Sequence, residues 1–215
     1  MTRRRRKAGR QKEAKAEAPA APVAVAATWE RPVVVAVCVL LVAVVVAAYV
    51  NAGHKDFLFD SGPAIETRHT RDLGGRALAL IRRPFDPGSQ VTYFTFALNY
   101  RLNKALGLDG FDTTTFLIGN VAVHALNAVL VFFLIRAFLR RVEPGGRAPT
   151  WIALVPALWF AVHPMHASSV AYLVQRRGAM ATTFWILGVL AYLRVRDYKR
   201  EGGAGDGAVS SRSLT

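Results

Sequence analysis

Residues 33–50, VVVAVCVLLVAVVVAAYV, run without a charge, a proline or a glycine. A helix rises about 1.5 Å per residue, so this stretch covers most of a hydrocarbon core about 30 Å thick. Backbone buried in lipid must satisfy its own hydrogen bonds, and a single apolar segment does that only as a helix. Three further apolar stretches follow, at about 114–135, 151–170 and 179–195. The chain is therefore expected to be an all-α integral membrane protein with four transmembrane helices, the membrane domain covering residues 32–198.

Charge is arranged around these spans. The sequence carries 28 lysines and arginines against 14 acids, a formal net charge of +14. Nucleic-acid binding is the obvious reading of so basic a chain, but the cations cluster beside apolar spans with no zinc-finger or RNP-like spacing, so no nucleic-acid partner is expected. The leader 1–31 opens MTRRRRKAGRQK and turns Ala/Pro-rich, a composition that cannot bury a core. Its length, and that of the apolar run behind it, favour an uncleaved anchor over a signal peptide. Basic residues near span ends favour the cytoplasmic side. The leader, the 140s loop and the start of the tail 199–215 are all basic, and four spans place them together. Both termini are expected in the cytoplasm, across a bacterial inner membrane, with 51–112 outside. The single cysteine, Cys38, lies within the first span and excludes an intrachain disulfide.

The external segment 51–112 is too polar to span. Within it, FTFALNYRLNKALGL places Phe94, Leu98, Leu102 and Leu106 at four-residue spacing, with Asn99, Arg101, Asn103 and Lys104 on the other side. This pattern predicts an amphipathic helix over about 93–106, lying on the membrane surface and stopped by Gly107. The tail after 198 is polar and glycine-rich and reads as flexible.

Polar residues inside spans mark either helix–helix hydrogen bonds or a cavity. Asn120, His124 and Asn127 are spaced four and three apart and share one helical face. The stretch HPMHASSVAYLVQRR, residues 163–177, is the densest polar group near a span end. His163 and His166 lack a neighbouring acid, and no metal site is expected. Arg176 and Arg177 suit a phosphate, because guanidinium groups bind its oxygens bidentately, and they equally suit anchoring among lipid headgroups. Asp60, in HKDFLFDSGPAIE, is an external carboxylate that fits either a general base acting on a hydroxyl or a turn residue.

The pieces FALNY, HALN and HPMHASSVAYLVQRR, in that order, resemble the amino-terminal membrane region of the transmembrane and tetratricopeptide-repeat O-mannosyltransferases and their bacterial relatives. The resemblance covers about residues 33–198. It implies a partial GT-C-like fold and a polyprenyl-phosphate-linked sugar as donor, with no other cofactor. It further implies Asp60 as the catalytic carboxylate, and His163, His166, Gln175 and Arg176 near the carrier phosphate. The chain departs from the pattern where Ser61 and Ser168 stand at positions that tend to carry acids, and where GSQVTYFTFALNY lacks the Arg-Pro pair that usually precedes FALNY. The family also continues through more spans. The resemblance thus implies a glycosyltransferase-like chain that is not autonomous. It would bind an anionic lipid and another membrane protein, either as an accessory subunit or as part of a split enzyme.

Overall fold

The structure, a computed structural model, describes residues 23–52, 61–82, 90–142 and 148–210. The chain divides into two compact units, residues 1–36 and 37–215. Of the first, only residues 23–36 are described, the opening turns of helix α1, with Pro32 inside the helix.

Among the described residues the chain is helical throughout, with no strand. Helix α1 (Val23–Tyr49) is followed by the short helices α2 (Ser61–Ile65), α3 (Arg68–Arg71) and α4 (Leu73–Arg82), then α5 (Gln90–Ala105). The long helix α6 (Thr113–Val142), α7 (Ala148–Val162), the short α8 (Met165–Ala171) and α9 (Arg176–Ser210) complete it. Three helical stretches are long and apolar enough to cross a bilayer: Arg31–Ala52, Thr113–Val142 and Leu173–Tyr198. This is the make-up of a membrane protein.

The stretch expected as the third span, 151–170, is divided. Helix α7 stops at Val162 and leaves a shorter apolar helix, Thr150–Val162. Pro164 is the reason: it has no N–H for the helical ladder and disfavours helical geometry at His163 before it. The chain restarts at once as α8, with Pro164 at its N-cap position. At the other end, residues 199–210, expected in a flexible tail, continue α9 to Ser210. No proline interrupts the ladder there.

Helix α7 packs small residues inward and turns large apolar ones outward. On α7, Ala153, Ala157 and Ala161 are buried at four-residue spacing, and α7 packs closely on α6. Trp151, Ile152, Val155 and Trp159 on the same helix are exposed. This is the polarity of a helix whose outer face meets lipid, where association depends on close backbone approach. Helix α9 also packs on α6 and exposes Phe184, Trp185 and Leu187.

The segment expected as an external loop is folded. Helices α3 and α4 pack on α5, and α5 packs on α6 and α9. A core of Ile65, Phe96, Phe116, Leu117, Val170 and Leu173 joins it to the ends of α6 and α8. Helix α5 ends as its sequence suggests: Gly107 takes φ 77°, a left-handed geometry that costs glycine nothing. Leu108 N–H returns to the carbonyl of Asn103 at 2.9 Å, and Gly107 N–H to that of Lys104 at 3.2 Å. The stripe Leu98, Leu102 and Leu106 is exposed. The opposite face corrects the sequence reading. Asn103 is fully buried, donating to the carbonyl of Gly110 at 3.0 Å, and Asn99 also turns into the protein. Asn103 thus secures the turn after its own helix, while Asn99 reaches α6 and α9.

Candidate functional site

Arg176 opens α9 and is 2% exposed. A guanidinium so deep needs acceptors on every side, and α5 and α6 bring them. Its Nε donates to Asn120 Oδ1 at 2.7 Å, its Nη1 to Asn99 Oδ1 at 2.7 Å, and its Nη2 to the carbonyl of Phe116 at 2.7 Å. Nη1 also reaches Thr95 Oγ1 at 3.4 Å. The planar group lies 4.7 Å from the Phe96 ring centroid and 5.7 Å from that of Phe116. These partners are neutral, so the charge is held by dipoles and ring faces.

Close approach is possible because α6 carries Gly119 there. A Cβ at Gly119 would stand 2.6 Å from Arg176 Nη2 and 3.0 Å from Asn99 Oδ1. Asn120 completes the joint by donating its amide to the carbonyls of Val170 at 3.0 Å and Leu173 at 3.3 Å, closing the end of α8. Three sequence pieces thus meet at one point: Phe96 and Asn99 of FALNY, Gly119 and Asn120 ahead of HALN, and the first arginine of QRR.

The shared face of α6 continues from this joint. His124 is buried, with Nε2 3.1 Å from the carbonyl oxygen of Ala161. Asn127 donates to the carbonyl of Ala179 at 2.8 Å and accepts from Thr183 Oγ1 at 2.6 Å. The side chain of each member of Asn120, His124 and Asn127 therefore bonds across a helix boundary, on backbone or hydroxyl groups of α7, α8, α9 or the turn before α9.

His166 lies beside His124 and Phe160, with ring centroids 5.1 and 4.4 Å away, and His163 is 6.0 Å further along. His163 Nδ1 accepts from Met165 N–H at 3.2 Å. Neither histidine is hydrogen-bonded to Gln175 or Arg177. Among the described residues, no group of three or more His, Cys, Asp or Glu is placed to hold a metal ion.

Gln175 and Arg177 are exposed on either side of Arg176. Adjacent helical residues point about 100° apart, so one arginine of the pair is buried and the other is not. Among the described residues the Arg177 side chain makes a weak contact, from Nη2 to Tyr93 Oη at 3.4 Å. Asp60 lies outside the described residues. Ser168, one of the two positions where an acid was expected by resemblance, is exposed and donates to the carbonyl of Met165.

Protein O-mannosyl-transferase TMTC4 of Homo sapiens is 28% identical over 180 residues, 74% of this chain. Protein O-mannosyl-transferase F38B6.6 of Caenorhabditis elegans is 25% identical over 74% of the chain, and the TMTC2 protein of Mus musculus 29% over 69%. The chain is similar to the TMTC O-mannosyltransferases. It spans 23%, 23% and 17% of those three proteins' lengths. No family model and no solved structure matches it.

Asn99, Phe96, Phe116 and Gly119 were not foreseen as site residues. The available signal was the pairing of a mid-helix glycine with an asparagine at 119–120, an unfavourable choice for an apolar helix unless something enters beside it.

Proposed function

We propose that this chain forms the front wall of a site for a polyprenyl-phosphate-linked sugar, in a GT-C-type O-glycosyltransferase completed by helices beyond those described. Similarity over three quarters of the chain supports the family, and mannose is the sugar its relatives' names carry. The observation that carries the reading is the split of the arginine pair. Arg176 locks α5, α6 and α9 together, which leaves Arg177 exposed at the same end and able to take the carrier phosphate. Gln175, His163 and His166 supply further donors on this side. Asp60 takes the proton of an acceptor hydroxyl, the oxygen bonds the sugar's anomeric carbon with inversion, and the lipid phosphate departs with the bonding electrons.

In this reading α7 is the fourth crossing, with α8 completing its outer end, and α2–α5 lie on the external surface. The Arg141–Asp197 ion pair supports placing the far ends of α6 and α9 on one face, the cytoplasmic one by their charge. Impermeant thiol reagents applied from outside, in a Cys38→Ala background, are expected to label Leu106→Cys and not Tyr198→Cys. The reverse pattern would invert the topology.

Native mass spectrometry of the full chain with added polyprenyl phosphate tests the lipid site. Arg177→Ala is expected to retain about tenfold less lipid, since a charge-assisted bond contributes about 1.5–3 kcal/mol, with Arg177→Lys intermediate. Equal retention would reduce Arg177 to an interfacial anchor. Ser61 and Ser168, where acids were expected, favour a second reading as an accessory subunit in a membrane complex: the lipid binds and no sugar moves.

A further inference from the structure

A second basic site lies at the other end of the bundle. The far ends of α6 and α9 enclose a groove of about 730 Å³ lined, among the described residues, by Arg136, Arg140, Arg141 and Arg194 with the carboxylate of Asp197. Along α6, Arg136 stands about 24 Å from the Asn120 level at 1.5 Å per residue, close to the thickness of a hydrocarbon core. The two basic sites therefore face opposite bilayer surfaces, given that α6 crosses the membrane as proposed above.

The groove is graded along its length. Phe133, Leu187 and Leu190 line the part nearer the bilayer middle, and the guanidinium groups form the rim. Arg141 is tied to Asp197 and to the carbonyl of Leu193 at 3.2 Å, yet its Nε is buried with no hydrogen-bond acceptor among the described residues. Arg136 donates through Nε to Thr150 Oγ1 at 3.1 Å, which fixes its guanidinium beside the start of α7. A buried donor without an acceptor is costly, and further negative charge close to this guanidinium would offset part of that cost.

We propose that this groove binds an anionic phospholipid, its headgroup phosphate held by the arginine rim and an acyl chain laid on Phe133, Leu187 and Leu190. An apolar floor leading to a cationic rim matches an amphiphile better than a free anion. Basic pockets between membrane helices on the cytoplasmic side recognise such headgroups by the same combination of charge and depth.

The test uses the full chain in phosphatidylcholine vesicles containing phosphatidylglycerol with a photoactivatable acyl chain. Cross-links are expected at Phe133, Leu187 or Leu190. They are expected to fall about tenfold in Arg194→Gln, whose side chain is exposed, while its thermal melt is unchanged. Arg177→Ala should leave them intact, which separates this site from the carrier site. Undiminished cross-linking in Arg194→Gln would overturn the proposal, as would equal cross-linking by a photoactivatable phosphatidylcholine. Loss on adding inorganic phosphate would assign the rim to a free anion and reject the lipid.

Discussion

Arg176→Ala is expected to lower stability by about 3–5 kcal/mol, read as a shift of the unfolding midpoint in detergent micelles. The loss does not come from the arginine's own charge, whose burial is itself unfavourable. It comes from what the guanidinium leaves behind. Asn99 Oδ1, Asn120 Oδ1 and the Phe116 carbonyl each accept a 2.7 Å bond from it, and each sits where water has little access. An orphaned buried acceptor costs about 1–3 kcal/mol, and a vacated pocket beside Phe96 and Phe116 adds to that.

Arg176→Lys should recover part of the loss. A lysine retains the charge, but a single ammonium cannot reach acceptors arranged around a planar fork. An unchanged midpoint in Arg176→Ala would mean that the three helices are held together by apolar packing alone, and the joint described here would have no energetic role.

Gly119→Ala is the more discriminating change, because two physical effects oppose each other. In a bare helix the substitution would stabilise by about 1 kcal/mol. Here the new Cβ would meet Arg176 Nη2 at 2.6 Å, its Cζ at 3.1 Å and Asn99 Oδ1 at 3.0 Å. Overpacking of that kind costs about 1–3 kcal/mol, and the guanidinium cannot move away without breaking its bonds. The single variant is expected to be destabilised.

In an Arg176→Ala background the obstacle is gone, and the same change should become neutral or stabilising by about 1 kcal/mol. The coupling between the two positions is then about 2 kcal/mol or more, well beyond what independent sites show. Additive effects of the two substitutions would show that Gly119 is present for some other reason.

Legibility of the chain from sequence divides along a physical line. Apolar length and the cost of unpaired backbone in lipid are local properties, so residues 33–50, 114–135 and 179–195 read directly as helices, as did the stop at Gly107. Helical periodicity is local too, and it placed Asn120, His124 and Asn127 on one face before any partner was visible. The division of 151–170 was also written locally, in Pro164, but a bend and a break leave the same trace in sequence, and only packing distinguishes them.

What the sequence could not show is direction. Asn99 and Asn103 lie on the polar side of an amphipathic stripe, and a rule drawn from water-soluble helices turns that side outward. In this bundle Asn103 is fully buried and Asn99 accepts from a buried arginine. Arg176 and Arg177 are chemically identical neighbours, and spacing assigns both the same role. Tertiary structure separates them, since about 100° of helical rotation sends one into the notch at Gly119 and leaves the other at the surface. The sequence alone thus determined which residues are helical and which are charged near the membrane. Which of the two arginines is structural and which is free for a ligand was decided only when α5, α6 and α9 came together, because the acceptors that capture Arg176 lie 56 to 77 residues away along the chain.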